Sequence, residues 1–403
     1  MIIKNIRIVD DTQDFTGDIL VKEGIIASIG KNLPDDGEPQ YDYSGQNLTL
    51  LPAFTDLHVH FRDPGFTHKE DVISGSKAAI RGGFTAVNLM PNTNPVCSCL
   101  AIAKDVEQRV GEAGFITANQ TLSMTKNLEG KDYEHLKKLN RGDVLFVTDD
   151  GKGVNDDTVM EEIFKICKEK EIIIMAHEED SRYSATDMRK AENEMTFRDL
   201  ELCRKLDGKI HFCHVSTIES IESIATYKAQ GVQVTCEVTP HHITATGESE
   251  NHYKVNPPLR EQKDIDALIK AIQSGIVDAI ATDHAPHTTE DKAGGAPGMT
   301  GLEIAFPLCY TALVKTGKIT LQQLVKLMSV TPSAMMRLHK GRIEKGMDAD
   351  FVIVELETPY IIDSTQFVSK GKNTPFNGKK VYGRVVQTFR RGSEIFCFTT
   401  TLS

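Results

Sequence analysis

Residues 51–65, LPAFTDLHVHFRDPG, join an apolar run to a pair of histidines. Residues 51–58 have the composition of a buried strand ending at His58, and His60 stands two positions further on. Side chains two apart in a strand point the same way, so both imidazoles can face one metal ion. Two hydrogen-bonded structural histidines would give the same pattern. The remaining sequence is needed to predict the fold that contains this strand.

Seven more apolar, β-branched runs follow, separated by amphipathic segments such as 71–81, 99–111, 157–170 and 264–274. Alternating strands and helices predict βα units around a parallel sheet. Eight strands over about 230 residues are typical of a (β/α)8, TIM-like barrel. An open doubly wound sheet is the alternative, but no glycine-rich dinucleotide fingerprint follows the first strand. The eight runs are residues 51–58, 84–90, 115–122, 144–149, 172–177, 210–215, 232–238 and 276–282.

The two ends of the chain are rich in β-type residues, with turn signals at 22–24 and 391–393. Neither end is long enough to form a convincing sheet alone. We therefore predict an α/β protein in which residues 1–50 and 340–403 together form a small β-sandwich domain. The barrel, residues 51–339, is inserted between them.

Composition limits the partners that the protein can have. The net charge is −11, from 46 basic and 57 acidic residues, which argues against binding to nucleic acid or an anionic membrane. No secretory signal and no apolar run approaching about 18 residues is visible. Eight cysteines without a CxxC pair favour reduced thiols in a cytoplasmic protein. Cys97 and Cys99 could bind a metal ion, but a lone CxC is more often incidental.

Further candidate metal ligands recur where the predicted strands end. The C-terminal ends of barrel strands are where active sites of this fold are built. Imidazole nitrogens and carboxylate oxygens are ligands that suit zinc. Together with the HxH pair they predict a metal site. The candidates are Asp149 and Asp150 after the fourth run, His177 after the fifth, His214 after the sixth and Asp283 after the eighth.

Eight motifs along the chain carry a family resemblance. They are HVHFRDPG, MPNTNP, TDDG, AHEED, CHVST, VTPHH, KVNPPLR and ATDHAPH. In this order they resemble the bacterial type I dihydroorotases of the amidohydrolase superfamily, over nearly the whole chain. The resemblance implies reversible, zinc-dependent hydrolysis of (S)-dihydroorotate to N-carbamoyl-L-aspartate in pyrimidine biosynthesis. It also favours a homodimer.

The resemblance assigns the ligands of two zinc ions and a general base. His58, His60 and Asp283 would bind the first ion, His177 and His214 the second, and Asp150 would bridge the two. Many relatives use a carbamylated lysine as the bridge, and Lys152 is the alternative in this sequence. Asp283 would take the proton of the attacking water and pass it to the leaving nitrogen. His284 should point away from the site.

Substrate choice is expected to depend on Arg62, two residues beyond His60, because a guanidinium matches a carboxylate. By resemblance, Asn92 and His287 would complete this carboxylate clamp. Allantoinases, which resemble this chain, have asparagine where Arg62 stands. Arg62 therefore separates a dihydroorotase from the hydantoinase, dihydropyrimidinase and allantoinase alternatives. The remaining substrate contacts implied by the resemblance are His60, Asn256 and the backbone near Pro297 and Gly298.

Several other segments are less decisive. Residues 288–300 are typical of a mobile loop or lid, although a plain connection is the alternative. Residues 178–180 are predicted to form a solvated acidic face, one member of which could orient His177. The segment formed by residues 178–213 is shorter than in the type I pattern.

A catalytically silent scaffold is disfavoured because all six ligand positions are filled. Supporting, core or surface roles are expected for His68, His135, His211, His241, His242, His252 and His339.

Overall fold

The computed structural model describes residues 1–34 and 37–398, so residues 35–36 and 399–403 of the predicted composite domain lie outside the described part. The chain begins with five strands. β1 pairs antiparallel with β2 and parallel with β4 and β5. The strands are β1 (Ile2–Val9), β2 (Asp14–Lys22), β3 (Ile25–Gly30), β4 (Gln40–Asp42) and β5 (Leu48–Pro52).

Eight parallel strands form the middle of the molecule: β6 (Phe54–Val59), β7 (Phe84–Leu89), β8 (Thr117–Gln120), β9 (Phe146–Val147), β10 (Ile173–Ala176), β11 (Ile210–Phe212), β12 (Val234–Val238) and β13 (Ala279–Ile280). β6 to β8 make one sheet and β9 to β13 another. Parallel bridges join the two sheets at both seams, from Leu122 to Val147 and from Val59 to His284. The strands therefore follow one another around a ring, and all of them end on the same side, called the carboxyl rim below.

Helices alternate with these strands, and the four predicted amphipathic segments are helical to within two residues at each end. The Asp71 side chain caps the first helix by accepting from the amides of Ile73 and Ser74. No helix within residues 1–34 and 37–398 is long and apolar enough to cross a membrane. The helices are α1 (Val72–Arg81), α2 (Leu100–Ala113), α3 (Glu134–Lys137), α4 (Asp157–Lys170), α5 (Met188–Leu206), α6 (Ile218–Ala229), α7 (Gln262–Gln273), α8 (Thr289–Ala293), α9 (Ala305–Cys309), α10 (Leu321–Val325) and α11 (Thr331–Met335).

The C-terminal strands are β14 (Phe351–Glu355), β15 (Tyr360–Ile361), β16 (Lys380–Val381), β17 (Arg384–Arg390) and β18 (Ser393–Cys397). β14 lies between β5 and β17, so both ends of the chain share one sheet of order β18-β17-β14-β5-β1-β2-β3, with β4 on β1. Ile353 on β14 belongs to a separate apolar core of this sheet. Val352, on the opposite face, joins the large core of the ring. The composite sheet is thereby fixed to the ring.

The structure differs from the predicted boundaries at three places. The predicted strand 51–58 is two strands, because Leu51 pairs with Val352 in the composite sheet and β6 starts only at Phe54. Pro52, which has no amide hydrogen, ends β5. Residues 360–381 leave the composite sheet and pack beside the carboxyl rim, where Phe376 shares a core with Met299. Within 288–300, α8 replaces part of the predicted loop.

Candidate metal centre

The six predicted metal ligands come together at the carboxyl rim, and all six are buried. The two histidines of the HxH pair have ring centroids 5.3 Å apart. The others follow four different strands, so residues far apart in sequence meet at one point. They are His58 and His60 at the end of β6, Asp150 after β9, His177 after β10, His214 after β11 and Asp283 after β13.

Asp150 lies at the centre of this cluster. Its Oδ1 atom is 3.2 Å from Nε2 of His58 and 3.5 Å from Nδ1 of His177. The same oxygen is 3.8 Å from Nε2 of His214, and Oδ2 is 3.5 Å from Nε2 of His60. One carboxylate thus faces all four imidazoles, a position from which it can bridge two ions. Lys152, the alternative bridge, is exposed.

Asp283 approaches the cluster from the other side. Its Oδ1 atom is 3.1 Å from Nε2 of His60 and 3.7 Å from Nε2 of His58. The backbone of Asp283 has a φ of 47°, and His214 and Arg62 also have positive φ values of 36° and 58°. Each such residue costs on the order of 1–3 kcal/mol and persists only where the surroundings impose it. Three of them at one site indicate a functional constraint.

Three ligands are oriented by the nitrogen that points away from the centre. Nδ1 of His58 is 3.1 Å from Oε1 of Glu237, and Nδ1 of His60 is 2.8 Å from Oδ1 of Asn92. His177 is held the other way around, with Nε2 3.1 Å from Oε2 of Glu179. Such outer partners fix the ring orientation of metal-binding histidines.

Glu237 was missed by the sequence analysis. A charged residue inside the apolar run of β12 was the signal in the sequence, and the structure buries this side chain completely. Glu237 also accepts from Nε2 of His211 at 3.0 Å, so this histidine is a core residue that supports the centre.

The donor set fits a metal ion. Four imidazole nitrogens and two carboxylates are donors that suit zinc. Three groups of potential ligand atoms among the described residues lie within 4.8 Å of one another: His58 with His60 and Asp283, His58 with Asp150 and His214, and His58 with Cys213 and Glu237. Nε2 of His58 is buried and forms no hydrogen bond with the described residues, which is costly unless another partner satisfies it.

The pKa values of two buried carboxyl groups are also compatible with a bound cation. Burial opposes ionisation of Asp150, but His58, His177 and His214 bring its pKa well below the usual value. Burial likewise opposes a low pKa for Glu237, yet His211 and His58 lower it to about 2. These carboxylates are therefore anionic and can balance the charge of a cation.

Arg62 and His287 lie beside the six predicted metal ligands. Nη2 of Arg62 is 3.3 Å from Nε2 of His287, and that nitrogen is 2.9 Å from the carbonyl oxygen of Pro297. Burial and the nearby Arg62 lower the pKa of His287 to about 4, so its ring is neutral. A neutral ring that donates to Pro297 through Nε2 cannot accept from Arg62. Asp283 and Asp150 act on the guanidinium only through their charge, no described carboxylate forms a salt bridge with it, and a substrate carboxylate would provide one.

Asn92, predicted to complete the carboxylate clamp, is engaged with the metal ligands. Its Oδ1 atom faces His60, and its Nδ2 group donates to Oδ2 of Asp150 at 2.9 Å. The structure therefore places Asn92 between two ligands, which it holds in position. Its contact with substrate stays a prediction.

A cavity of about 360 Å³ opens next to the cluster and is lined by Glu179, Asn256 and Pro297 among others. Gly298, which follows Pro297, has a φ of +125°, and a Cβ atom there would lie 2.7 Å from Cβ of Ala285, so only glycine fits. Asn373, which the sequence analysis also missed, donates from Nδ2 to the carbonyl oxygen of Gly298 at 3.1 Å. Nothing local in the sequence marks Asn373, because it arrives from the C-terminal segment.

Other candidates lie outside the centre. His284 turns to Glu70, with 3.3 Å between Nε2 and Oε2. Both ring nitrogens of His241 are buried without a hydrogen-bond partner among the described residues. All eight cysteines are free, and neither Cys97 nor Cys99 joins a cluster of three potential ligands within residues 1–34 and 37–398.

Comparison with known proteins agrees with this geometry. The sequence profile of the Amidohydrolase family matches residues 49–395. The solved L-hydantoinase (dihydropyrimidinase) from Arthrobacter aurescens superposes with a TM-score of 0.86 at 25% identity, covering 100% of this chain and 97% of that one. Dihydropyrimidinase from Brevibacillus agri gives a TM-score of 0.87 at 22% identity, covering 98% and 95%. The chain belongs to the amidohydrolase family, whose members are metal-dependent enzymes.

Within this family, the chain is similar over nearly its whole length to curated dihydroorotases. A dihydroorotase from Clostridium botulinum is 47% identical over 393 residues, covering 97% of this chain and 98% of the relative. A dihydroorotase from Elusimicrobium minutum is 40% identical over 420 residues, covering 97% and 96%. The family resemblance drawn from the eight motifs is thereby confirmed.

Proposed function

We propose that this protein is a dihydroorotase, which reversibly hydrolyses (S)-dihydroorotate to N-carbamoyl-L-aspartate in pyrimidine biosynthesis. The observation that carries the proposal is Arg62, which lies 3.3 Å from His287 beside the predicted metal ligands and forms no salt bridge with residues 1–34 or 37–398. A ring carboxylate satisfies that guanidinium, whereas hydantoin and dihydropyrimidine rings carry none. The dihydroorotase relatives at 47% and 40% identity support the same choice.

We infer that two zinc ions occupy the centre, one held by His58, His60 and Asp283 and the other by His177 and His214, with Asp150 between them. When bound, the ions would polarise the scissile carbonyl and lower the pKa of the attacking water. Asp283 takes the proton of this water as the carbon–oxygen bond forms. It then delivers the proton to the ring nitrogen as the carbon–nitrogen bond breaks. In the reverse direction Asp283 removes the proton from the ureido nitrogen.

The remaining predicted residues would bind the substrate. Arg62, with Asn92 and His287, orients the carboxylate and so places the scissile amide against the metal ligands. The loop around Pro297 and Gly298 and the side chain of Asn256 border the cavity and would contact the ring. This arrangement explains how one site can select a charged ring over the neutral rings of related amidohydrolases.

We also propose the organisation of the whole protein. The ring of parallel strands β6 to β13 is a (β/α)8, TIM-like barrel, and strands β1 to β5 with β14, β17 and β18 form a composite β-sandwich domain. Free thiols at all eight cysteines support a reducing, cytoplasmic location. The family resemblance favours a homodimer, which sedimentation equilibrium would test.

The decisive experiment measures hydrolysis of dihydroorotate by loss of ultraviolet absorbance, with zinc-loaded and chelated protein side by side. Hydantoin and 5,6-dihydrouracil serve as substrates without a carboxylate. We expect turnover of dihydroorotate that disappears on chelation and returns with zinc. Preferred turnover of a carboxylate-free ring would make the protein a different cyclic amidohydrolase. No bound zinc and no turnover would favour a catalytically silent scaffold.

A further inference from the structure

Glu179 joins a metal ligand to a predicted substrate contact through one oxygen atom. Its Oε2 atom lies 3.1 Å from Nε2 of His177 and 2.8 Å from Nδ2 of Asn256. Residues 178–180 were predicted to form a solvated acidic face, one member of which could orient His177. The Glu179 side chain is instead only 19% exposed and lines the 360 Å³ cavity.

The Glu179 carboxylate requires hydrogen-bond donors at the two atoms that face it. An ionised carboxylate only accepts hydrogen bonds, so both atoms that face it carry a hydrogen. His177 is therefore protonated on Nε2, and Asn256 presents its amide nitrogen. The other ring nitrogen of His177, Nδ1, faces Oδ1 of Asp150 at 3.5 Å and Nε2 of His214 at 3.0 Å.

This orientation sets His177 apart from the HxH ligands. His58 and His60 are held at Nδ1, by Glu237 and Asn92, and so present Nε2 to the centre. His177 is held at Nε2 and presents Nδ1. A ring flip of His177 would turn Nε2 inward and leave Glu179 with one donor fewer.

We propose that Glu179 is a positioning residue that fixes the Nδ1-presenting tautomer of His177 and, through the same oxygen, the position of Asn256. This proposal rests on the proposed function, because it takes His177 as a zinc ligand and Asn256 as a substrate contact. Loss of the shared acceptor weakens zinc binding and substrate binding together. Outer partners of this kind typically change metal affinity by about 10- to 100-fold.

The test uses full-length Glu179→Met, which removes the acceptor at similar size, and Glu179→Gln, which keeps one carbonyl oxygen. Asp180→Asn is the matched control, because Asp180 is the next residue and pairs with Arg182 instead. We expect Glu179→Met to hold the more weakly bound zinc at least tenfold less tightly against a competing chelator. The control should match the wild type, and Glu179→Gln should lie between the two.

Two further readouts separate positioning from general damage. Nitrogen-15 spectra of the zinc-loaded protein should show His177 protonated at Nε2, and KM for dihydroorotate should rise about tenfold in Glu179→Met at full zinc occupancy, the cost of one lost hydrogen bond. Equal zinc affinity in Glu179→Met and Asp180→Asn, or a zinc–Nε2 bond at His177, would overturn the proposal. Chelator competition needs no substrate, so a protein that fails to hydrolyse dihydroorotate would refute the proposed function alone.

Discussion

Nδ1 of His58 lies 3.1 Å from Oε1 of Glu237, and both side chains are completely buried. A buried carboxylate at this point fixes the imidazole so that Nε2 faces the centre, and it contributes a negative charge that attracts a cation. Glu237 comes from β12 and His58 from β6, so the contact also ties the end of the ring to its first strand.

Replacing Glu237 by Gln should therefore weaken metal binding. We expect about 10- to 100-fold lower zinc affinity, because the isosteric amide keeps the size of the side chain but loses its charge. Competition with a chromophoric chelator measures this directly. Glu107→Gln, at a partly exposed carboxylate on α2, is the control and should bind zinc like the wild type. Unchanged affinity in Glu237→Gln would show that the contact is only structural.

Replacing Arg62 by Met should change substrate choice. A charge-assisted hydrogen bond contributes about 1.5–3 kcal/mol, so kcat/KM for dihydroorotate should fall about 10- to 100-fold. Any turnover of 5,6-dihydrouracil should change little, because that ring has no carboxylate. Arg182→Met, at an arginine whose side chain is 72% exposed, controls for the lost charge. An equal loss on both substrates would argue against a carboxylate contact.

Lys292 should hold the segment 288–300 in place. Its ammonium group donates to the carbonyl oxygens of Lys254 at 3.0 Å, Ala296 at 2.8 Å and Gly298 at 2.9 Å. Lys292→Met removes all three hydrogen bonds, so local opening should become at least about tenfold more frequent. Limited proteolysis within 288–300 should accelerate accordingly, whereas the exposed Lys263→Met should be cut at the wild-type rate. Equal cleavage rates would show that other contacts hold the segment.

Glu303 should make stability depend on pH. Burial raises its pKa from 4.5 to about 7, although the amides of Val368 and Ser369 and the nearby Arg81 oppose the shift. Between these two pH values the folded chain keeps a proton that the unfolded chain has released, so stability falls as the pH rises. Between pH 5 and pH 7 this effect lowers the free energy of unfolding by up to about 2 kcal/mol.

Urea unfolding of Glu303→Gln and of the wild type at pH 5 and pH 7 measures how much Glu303 contributes to the pH dependence of the free energy of unfolding. The variant should lose less free energy of unfolding than the wild type over that interval, by up to about 2 kcal/mol. The difference between the two proteins cancels the pH dependence of metal binding, which they share. Parallel pH profiles would show that Glu303 is ionised throughout.

Much of the centre was predictable because strand periodicity and strand ends are local features. Residues that end parallel strands meet on the same side of a ring, so His177 and Asp283 could be assigned to one site from sequence alone. The predicted helices were equally local, and Asp157–Lys170 was predicted to the residue. Strand boundaries were less predictable: the apolar run 51–58 gave no sign that Leu51 pairs in one sheet and Phe54 starts another.

The sequence by itself determined the alternation of strands and helices, the six candidate ligand positions and the family, because these depend on spacing along the chain and on motifs. Only the tertiary structure decided which partner holds each ligand. Glu237 reaches His58, and Asn373 reaches Gly298, across separations of 179 and 75 residues. Such contacts depend on how distant segments pack together, and no local pattern in the chain encodes that packing.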